Sequence, residues 1–484
     1  MPPRFPTDTE VLVVGGGPVG LCLAALLGQY GIRTVLVDRK PATSTHPRGF
    51  GIHPRTMEVF RRLGVADEIR AAGLPPQTAA GFGFLTHLTG DERARLMLEP
   101  MPDQIGPEQG CFCPQHRYEP ILRRRAEAHA TVSVAFDAEA TAVDITDSGA
   151  SVQVKDLQTG DTTTVACRWV VAADGMHSPT RTLLGCSETT TGAFGHSLSV
   201  YFRADLGRAR QGRPFALAWT VAPDAEGTFG IASADASEWT FAFAAEPDAD
   251  YSEADLTARV RAAAGIPDLE LDVVDVLRWD YEKAVTDRWR SGPVLFCGDA
   301  AHRFPPHGGF GMNSGVQDAE NLAWKLAAVL RWGAGTGLID TYEAERKPAA
   351  VHNGHRAVVN TERLSEARWD PENAGAALED QREHFLTLGQ QMGAVYTSSA
   401  VLDDGTEPRR STVTDYVETG RPGARAPHIA FVDSAGLRTS TVDGCAAAAA
   451  GAAWLVAWAE AAFAPSAATA VPARMIAFIC PRSR

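Results

Sequence analysis

Apolar runs of four or five residues recur along this chain, each closed by glycine or aspartate: Glu10–Val14, Thr34–Val37, Trp169–Ala173 and Pro293–Cys297. Runs of that length with such punctuation read as buried strands of a largely parallel sheet. Leu21 to Gln29 is apolar nearly all round, as in a helix covered on every side, and Gly31 can end it. Downstream, Val316, Ala319, Leu322, Ala323, Leu326, Val329 and Leu330 fall at helical intervals. With Ser314 and Gln317 at capping-box spacing, they predict a helix from about Asn313 to Gly333. Between these regions the period changes. His196–Arg203 alternates apolar and polar residues, and Phe215–Val221 and Trp239–Ala244 add short strands. The coarse order is βαβ, a mixed middle, βα, then a tail, which predicts an α/β chain (α+β overall) whose first domain is interrupted by a second.

Candidate chemistry sits where the runs end. After Glu10–Val14 comes Gly15-Gly16-Gly17-Pro18-Val19-Gly20, a GxGxxG fingerprint opening a helix. Asp38 ends the next strand about 20 residues on, where an acid can take a ribose hydroxyl. Strand, helix and acid together indicate a dinucleotide site without choosing between FAD and NAD. Pro293–Cys297 leads into Gly298-Asp299-Ala300-Ala301-His302-Arg303-Phe304-Pro305-Pro306-His307-Gly308-Gly309-Phe310-Gly311-Met312-Asn313. Asp299 falls at the carboxyl end of a strand, and the glycines precede a helix start whose free N–H groups favour negative charge.

A third element, Trp169–Ala173 followed by Asp174-Gly175-Met176-His177-Ser178-Pro179-Thr180-Arg181, completes an order of GxGxxG, DG and GD segments. With it, roughly residues 8 to 365 resemble the FAD-dependent aromatic hydroxylases of the para-hydroxybenzoate hydroxylase type. Gly51–Glu58 and Asn321–Ala327 look like the branch of chlorophenol monooxygenases and bacterial polyketide hydroxylases. The resemblance implies a flavin monooxygenase that uses NADPH or NADH and O2 to hydroxylate a small aromatic or heteroaromatic substrate through a flavin C4a-hydroperoxide. A role in secondary metabolism or aromatic degradation goes with it. It also implies that Gly15, Gly17, Gly20, Asp38 and Arg39 hold the ADP half of FAD. Arg48, Gln115, Asp174, Asp299, Gly309, Gly311, Met312 and Asn313 would serve the rest of the cofactor, and Pro306 would lie beside the reactive edge. Plainer readings stay open: a solvated charge for Arg48, a helix cap for Gln115, a capped strand end for Asp174.

The resemblance breaks at two places. Related phenol hydroxylases carry an aspartate near the stretch where this chain has Gly49-Phe50-Gly51, so the group that activates the phenol is missing. His53 is a candidate replacement, with a structural or flavin-side role as the alternative. Tyr201, Trp219, Trp239 and Phe243 are candidates for an aromatic substrate wall, although aromatic residues in strands are more often plain core. The second break is the tail. Asp415 to His428 looks like the entrance to the thioredoxin-like domain of larger relatives, yet Cys445 to Ala470 is dominated by alanine and reads as a divergent or truncated remnant. Epoxidation, Baeyer–Villiger oxidation and a flavin protein without turnover remain as alternatives. Flavin halogenases are not favoured, because no Trp-x-Trp-x-Ile-Pro run occurs.

Length allows the division expected on these grounds. Residues 1–185 would form the first part of an FAD domain, 186–283 a mixed-sheet substrate domain, 284–395 the second part with long helices, and 396–484 the C-terminal region. A net charge of −14 argues against a nucleic-acid or anionic-membrane partner. The eight cysteines include no CxxC pair, so no metal site is expected, and they read as thiols of a cytoplasmic protein. The alanine-rich tail is mostly apolar, but alanine partitions weakly into bilayers and Glu460 lies within it, so no membrane span is expected. A homo-oligomer is left open.

Overall fold

The computed structural model describes residues 5–407, 409–432 and 438–443. Two eight-stranded sheets organise it. In the first, the strand Asp8–Val14 lies between Thr162–Ala172 and Thr34–Val37, parallel to both, with Val294–Phe296 and Val132–Ala135 continuing the parallel order outward. These strands read as unbroken apolar runs because helices cover them. Leu21, Leu23, Leu26, Leu295, Val316, Leu322 and Leu326 meet in one core with no exposed surface. The helix Pro18–Gln29 starts at a proline, whose missing N–H costs nothing at the first helical position.

The second sheet follows the order His302–Arg303, Asp272–Thr286, Glu188–Arg203, Glu238–Ala244, Gly227–Ile231, Leu217–Thr220, Gly81–Leu85, Glu92–Met97. It therefore recruits residues 81–97, which the sequence division left with the first domain. Leu217–Thr220 pairs parallel with Gly81–Leu85, a contact between segments far apart in sequence that no local pattern announces. Its own core gathers Phe202, Phe215, Phe229, Trp239, Phe241 and Phe243. The chain that leaves Val294–Phe296 in the first sheet enters the second directly. The strand Asp272–Thr286 pairs with His302–Arg303, and the Thr286 N–H donates to Ala301 O at 2.8 Å.

The helix expected from Asn313 begins earlier, at Phe310, and ends at Arg331. Gly309 takes a left-handed conformation (φ 68°) that turns the chain straight into the helix, so Ser314 and Gln317 lie inside it and no capping box forms. A 30-residue helix, Gly337–Glu366, packs behind it. Asp318 from the first helix is clamped between His302 Nε2 (2.6 Å) and Arg346 Nε (2.7 Å), all three fully buried. Opposite charges hold the Asp318 carboxyl below the usual range against the cost of burial. The C-terminal segment contributes short helices at Ala374–Asp380, Arg382–Phe385 and Leu388–Met392, then a hairpin, Ala430–Val432 with Arg438–Ser440. It is tied to the helix Pro54–Leu63 by Arg425 with Glu58 and by Arg61 with Asp443. The alanine-dominated stretch lies outside the described residues.

Among the described residues Cys22, Cys111, Cys113, Cys167, Cys186 and Cys297 are free thiols. Burial pushes Cys22, Cys111 and Cys167 up to about 12 and raises Cys113 and Cys297 as well. Among the described residues no helix is long and apolar enough to cross a membrane, and no cluster of His, Cys, Asp and Glu could hold a metal ion.

Candidate active site

One cavity of about 1960 Å³ runs from the carboxyl ends of the first sheet to the face of the second. That is roughly twice the upper end of an ordinary small-ligand pocket, ~1,000 Å³. At its first end stands the glycine turn. Gly15 has φ 114°, and a Cβ there would lie 2.2 Å from Ala173 O; a Cβ at Gly20 would lie 1.9 Å from Gly15 O. Both glycines are required by the protein's own packing. Gly17 differs, since a Cβ there would meet nothing within 4 Å and the residue faces the cavity. Beside it Asp38 accepts from the Gly16 N–H at 2.6 Å and the Lys40 N–H at 2.7 Å, which fixes its carboxylate at the cavity wall with lone pairs to spare. Arg39 lines the same wall.

Midway, two residues far apart in sequence meet. Arg48 Nε donates to Gln115 Oε1 at 3.0 Å, and the Gln115 N–H donates to Arg48 O at 2.8 Å. Asp299 opens onto the cavity from the turn after Val294–Phe296, its carboxyl raised by desolvation against the pull of His302, Arg48 and Arg303. Asp174 also borders the cavity, but its oxygens are engaged by Ser178 Oγ (2.6 Å) and the Thr180 N–H (2.9 Å). The plainer reading, a capped strand end, describes its protein contacts. Pro306, Gly309, Gly311 and Met312 line the wall where the Phe310 helix begins, and a Cβ at Gly311 would also meet open space.

Two expected catalytic positions do other work. Asn313 is buried, its Oδ1 accepting from the His53 N–H at 2.9 Å and its Nδ2 donating to Gly51 O (2.9 Å) and Gly309 O (2.6 Å). Its amide bonds three backbone groups and so ties Gly51–His53 to the turn at Gly309, with both amide protons used. His53 lies against Gly308 O at 3.1 Å and edge-on to Phe310, and burial drops its pKa to about 4. A ring so placed is neutral, with Nε2 turned to the Gly308 carbonyl in the wall of the turn.

Of the four aromatic residues expected on the substrate wall, only Trp219 reaches the cavity. Trp239 and Phe243 point to the opposite side of the sheet, where Trp239 Nε1 donates to Ala236 O and both rings are core. Tyr201 is buried against His46 and His116. Alternation in a strand gives the period and not which side is inward. The wall is instead completed by Phe82, His307, His384 and Phe385. Phe385 stacks on Phe82 at 4.3 Å and meets Trp219 edge-on at 5.4 Å. Phe82 lay in a legible apolar run, Gly81–Leu85, whereas His384 and Phe385 come from a short helix with no distinguishing pattern. Burial brings His307 down to about 4 and His384 well below its usual value.

The arrangement fits a dinucleotide lying along the cavity. The empty space over Gly17 and Gly311 is what a close-approaching pyrophosphate and ring need, and helix N-termini at Pro18 and Phe310 supply dipoles for negative charge. Residues 8–357 match the family described as FAD binding domain. A putative polyketide hydroxylase of Streptomyces halstedii is 35% identical over 444 residues, covering 90% of this chain and 78% of its own. Aklavinone 12-hydroxylase DnrF of Streptomyces peucetius is 37% identical over 453 residues, covering 90% and 89%. Among solved structures, the flavin-dependent monooxygenase PieE in complex with FAD and substrate superposes with a TM-score of 0.82. It is 30% identical and covers 91% of this chain and 83% of its own.

Proposed function

The chain belongs to the FAD binding domain family, and from that premise we propose that it is an FAD-dependent monooxygenase hydroxylating a multi-ring phenolic substrate of the polyketide type, with NADPH or NADH as reductant. The observation that carries this reading is the continuity of the cavity. A glycine-lined slot with Asp38 at one end opens without interruption onto an aromatic wall at the other. A binding site for the nucleotide alone would need only the first half.

Bound and reduced, FAD activates molecular oxygen and supplies the electrophilic oxygen atom. The residues of this chain do the rest. Backbone at Gly15 and Gly17 with the Pro18 helix terminus would hold the pyrophosphate, with Gly20 letting the turn close, Asp38 would take the ribose hydroxyls, and Arg48, Gln115 and Asp299 line the middle of the slot. Gly311 and Met312, at the N-terminus of the Phe310 helix, would offer N–H groups and a helix dipole to negative charge on the bound ring. Trp219, Phe82 and Phe385 give a planar substrate its stacking surface and keep water from the reacting carbon. The relatives named above include a putative polyketide hydroxylase, which supports an acceptor of the polyketide type.

The test follows NAD(P)H and O2 consumption by the flavin-loaded protein across single-ring phenols and polycyclic hydroxyquinones, with hydrogen peroxide measured in parallel. Polycyclic compounds should stimulate both consumptions and yield oxygenated product with little peroxide. A flavin-loaded protein that no phenol of either class stimulates would overturn the reading.

A further inference from the structure

The loss of the aspartate near Gly49-Phe50-Gly51 leaves open what recognises the substrate's hydroxyl. Resting on the hydroxylase reading above, we propose that His307 is the hydroxyl anchor of the substrate site, its Nε2 accepting a hydrogen bond from a ring hydroxyl.

The tautomer follows from the neighbouring bonds. Thr361 Oγ1 donates its only proton to Ala357 O at 2.8 Å, because a carbonyl can only accept. His307 Nδ1, 2.9 Å from the same Oγ1, must then be the donor. A neutral imidazole with its proton on Nδ1 carries a lone pair on Nε2. Among the described residues no protein group hydrogen-bonds that nitrogen, and the ring borders the cavity one residue after Pro306. The backbone is held as well, by Asn360 Nδ2 donating to His307 O at 3.4 Å.

The surroundings keep the ring neutral and aimed. His384 lies 5.6 Å away edge-on, and Tyr281 packs at 5.8 Å. Burial holds His307 unprotonated below neutral pH, and burial, with a smaller opposing effect of His307, does the same for His384. Beyond His384, which stacks on Phe385, Trp219 meets Phe385 edge-on and continues the aromatic wall of the same cavity. His307 borders the same cavity, so a flat ring lying against that wall can present an edge hydroxyl to Nε2. A free hydroxyl satisfies Nε2, whereas a methyl ether offers no proton and leaves a desolvated acceptor unpaired.

The test uses the flavin-loaded full chain and two probes, 2-hydroxyanthraquinone and 2-methoxyanthraquinone, with affinities read from perturbation of the flavin spectrum. The wild type should prefer the hydroxy compound by about ten-fold, the expected size for one buried hydrogen bond. In His307→Phe the ratio should fall to about one with flavin content unchanged. His307→Gln, which can still accept through its carbonyl oxygen, should keep part of the preference. If His307→Phe does not retain flavin, Thr361→Val, which releases the tautomer lock, should lower the ratio in its place. A wild type without preference, or a ratio that survives His307→Phe or Thr361→Val, overturns the anchor while leaving the hydroxylase reading intact. Failure of both probes to bind the flavin-loaded wild type would overturn the polycyclic acceptor proposed for this site, and the anchor with it.

Discussion

The two ends of the cavity are built by opposite means. At the glycine end the wall is backbone, the critical residues fall within about thirty positions, and Gly15 and Gly20 are fixed by contacts a side chain would destroy. At the aromatic end the wall is side chain, collected from residues 82, 219, 307, 384 and 385, and it holds together by ring stacking. The first end serves a cofactor common to a whole family and tolerates little change. The second faces a variable acceptor, and each ring there can be exchanged without unmaking the fold.

Substitutions can break or sharpen that contrast. Gly20→Ala should have the largest effect, because its Cβ would fall on Gly15 O. A loss of roughly 3 kcal/mol in thermal or denaturant unfolding, with no flavin retained on purification, is the expected outcome. Asn313→Ala should cost about 2 kcal/mol by leaving buried backbone groups unpaired, read by the same unfolding curves. Trp219→Ala, on a half-buried ring, should cost about 1 kcal/mol and leave FAD content unchanged while raising KM for the aromatic substrate. Gly17→Ala sharpens the comparison from the other side. Its φ of −77° suits alanine and its Cβ meets no protein atom, so stability should hold within ~0.5 kcal/mol while FAD affinity, measured by titration of apoprotein, falls about ten-fold.

The smallest effect is a pH dependence. His53 and His307 both stand at about 4 in the folded protein, whereas an unfolded histidine takes its proton near 6.5. Between those values the unfolded chain binds more protons, so stability is full above about 6.5 and is lost as pH falls toward 4. Unfolding measured across that window should lose close to one proton of slope in His53→Gln, whose ring is buried. The change should be smaller in His307→Gln, whose ring borders the cavity.

The same contrast explains what the sequence made legible. GxGxxG, Asp38, and the Asp174 and Asp299 segments were readable because strand, turn and helix follow one another locally and leave a periodic signature. Arg48 and Gln115 were placed by resemblance, and they meet. What failed was long-range or directional. Trp239 and Phe243 alternate as a wall strand should, but alternation cannot say which side faces the cavity. Residues 81–97 join the second sheet through a parallel pairing with Leu217–Thr220 that no neighbouring residue encodes. The Phe310 helix starts three residues before the expected site because Gly309 turns the chain, a backbone conformation that outweighed a plausible capping pair.

The six described thiols bear on a hazard intrinsic to any catalyst that activates oxygen, which is self-inflicted oxidation by leaked peroxide. Peroxide attacks thiolate and not thiol. Cys111 and Cys297 border the cavity itself, yet burial keeps both protonated far above physiological pH. Sulfur packed around an oxygen-handling chamber is thereby held in its inert form, and resistance to inactivation during uncoupled turnover follows from the same desolvation that packs the core.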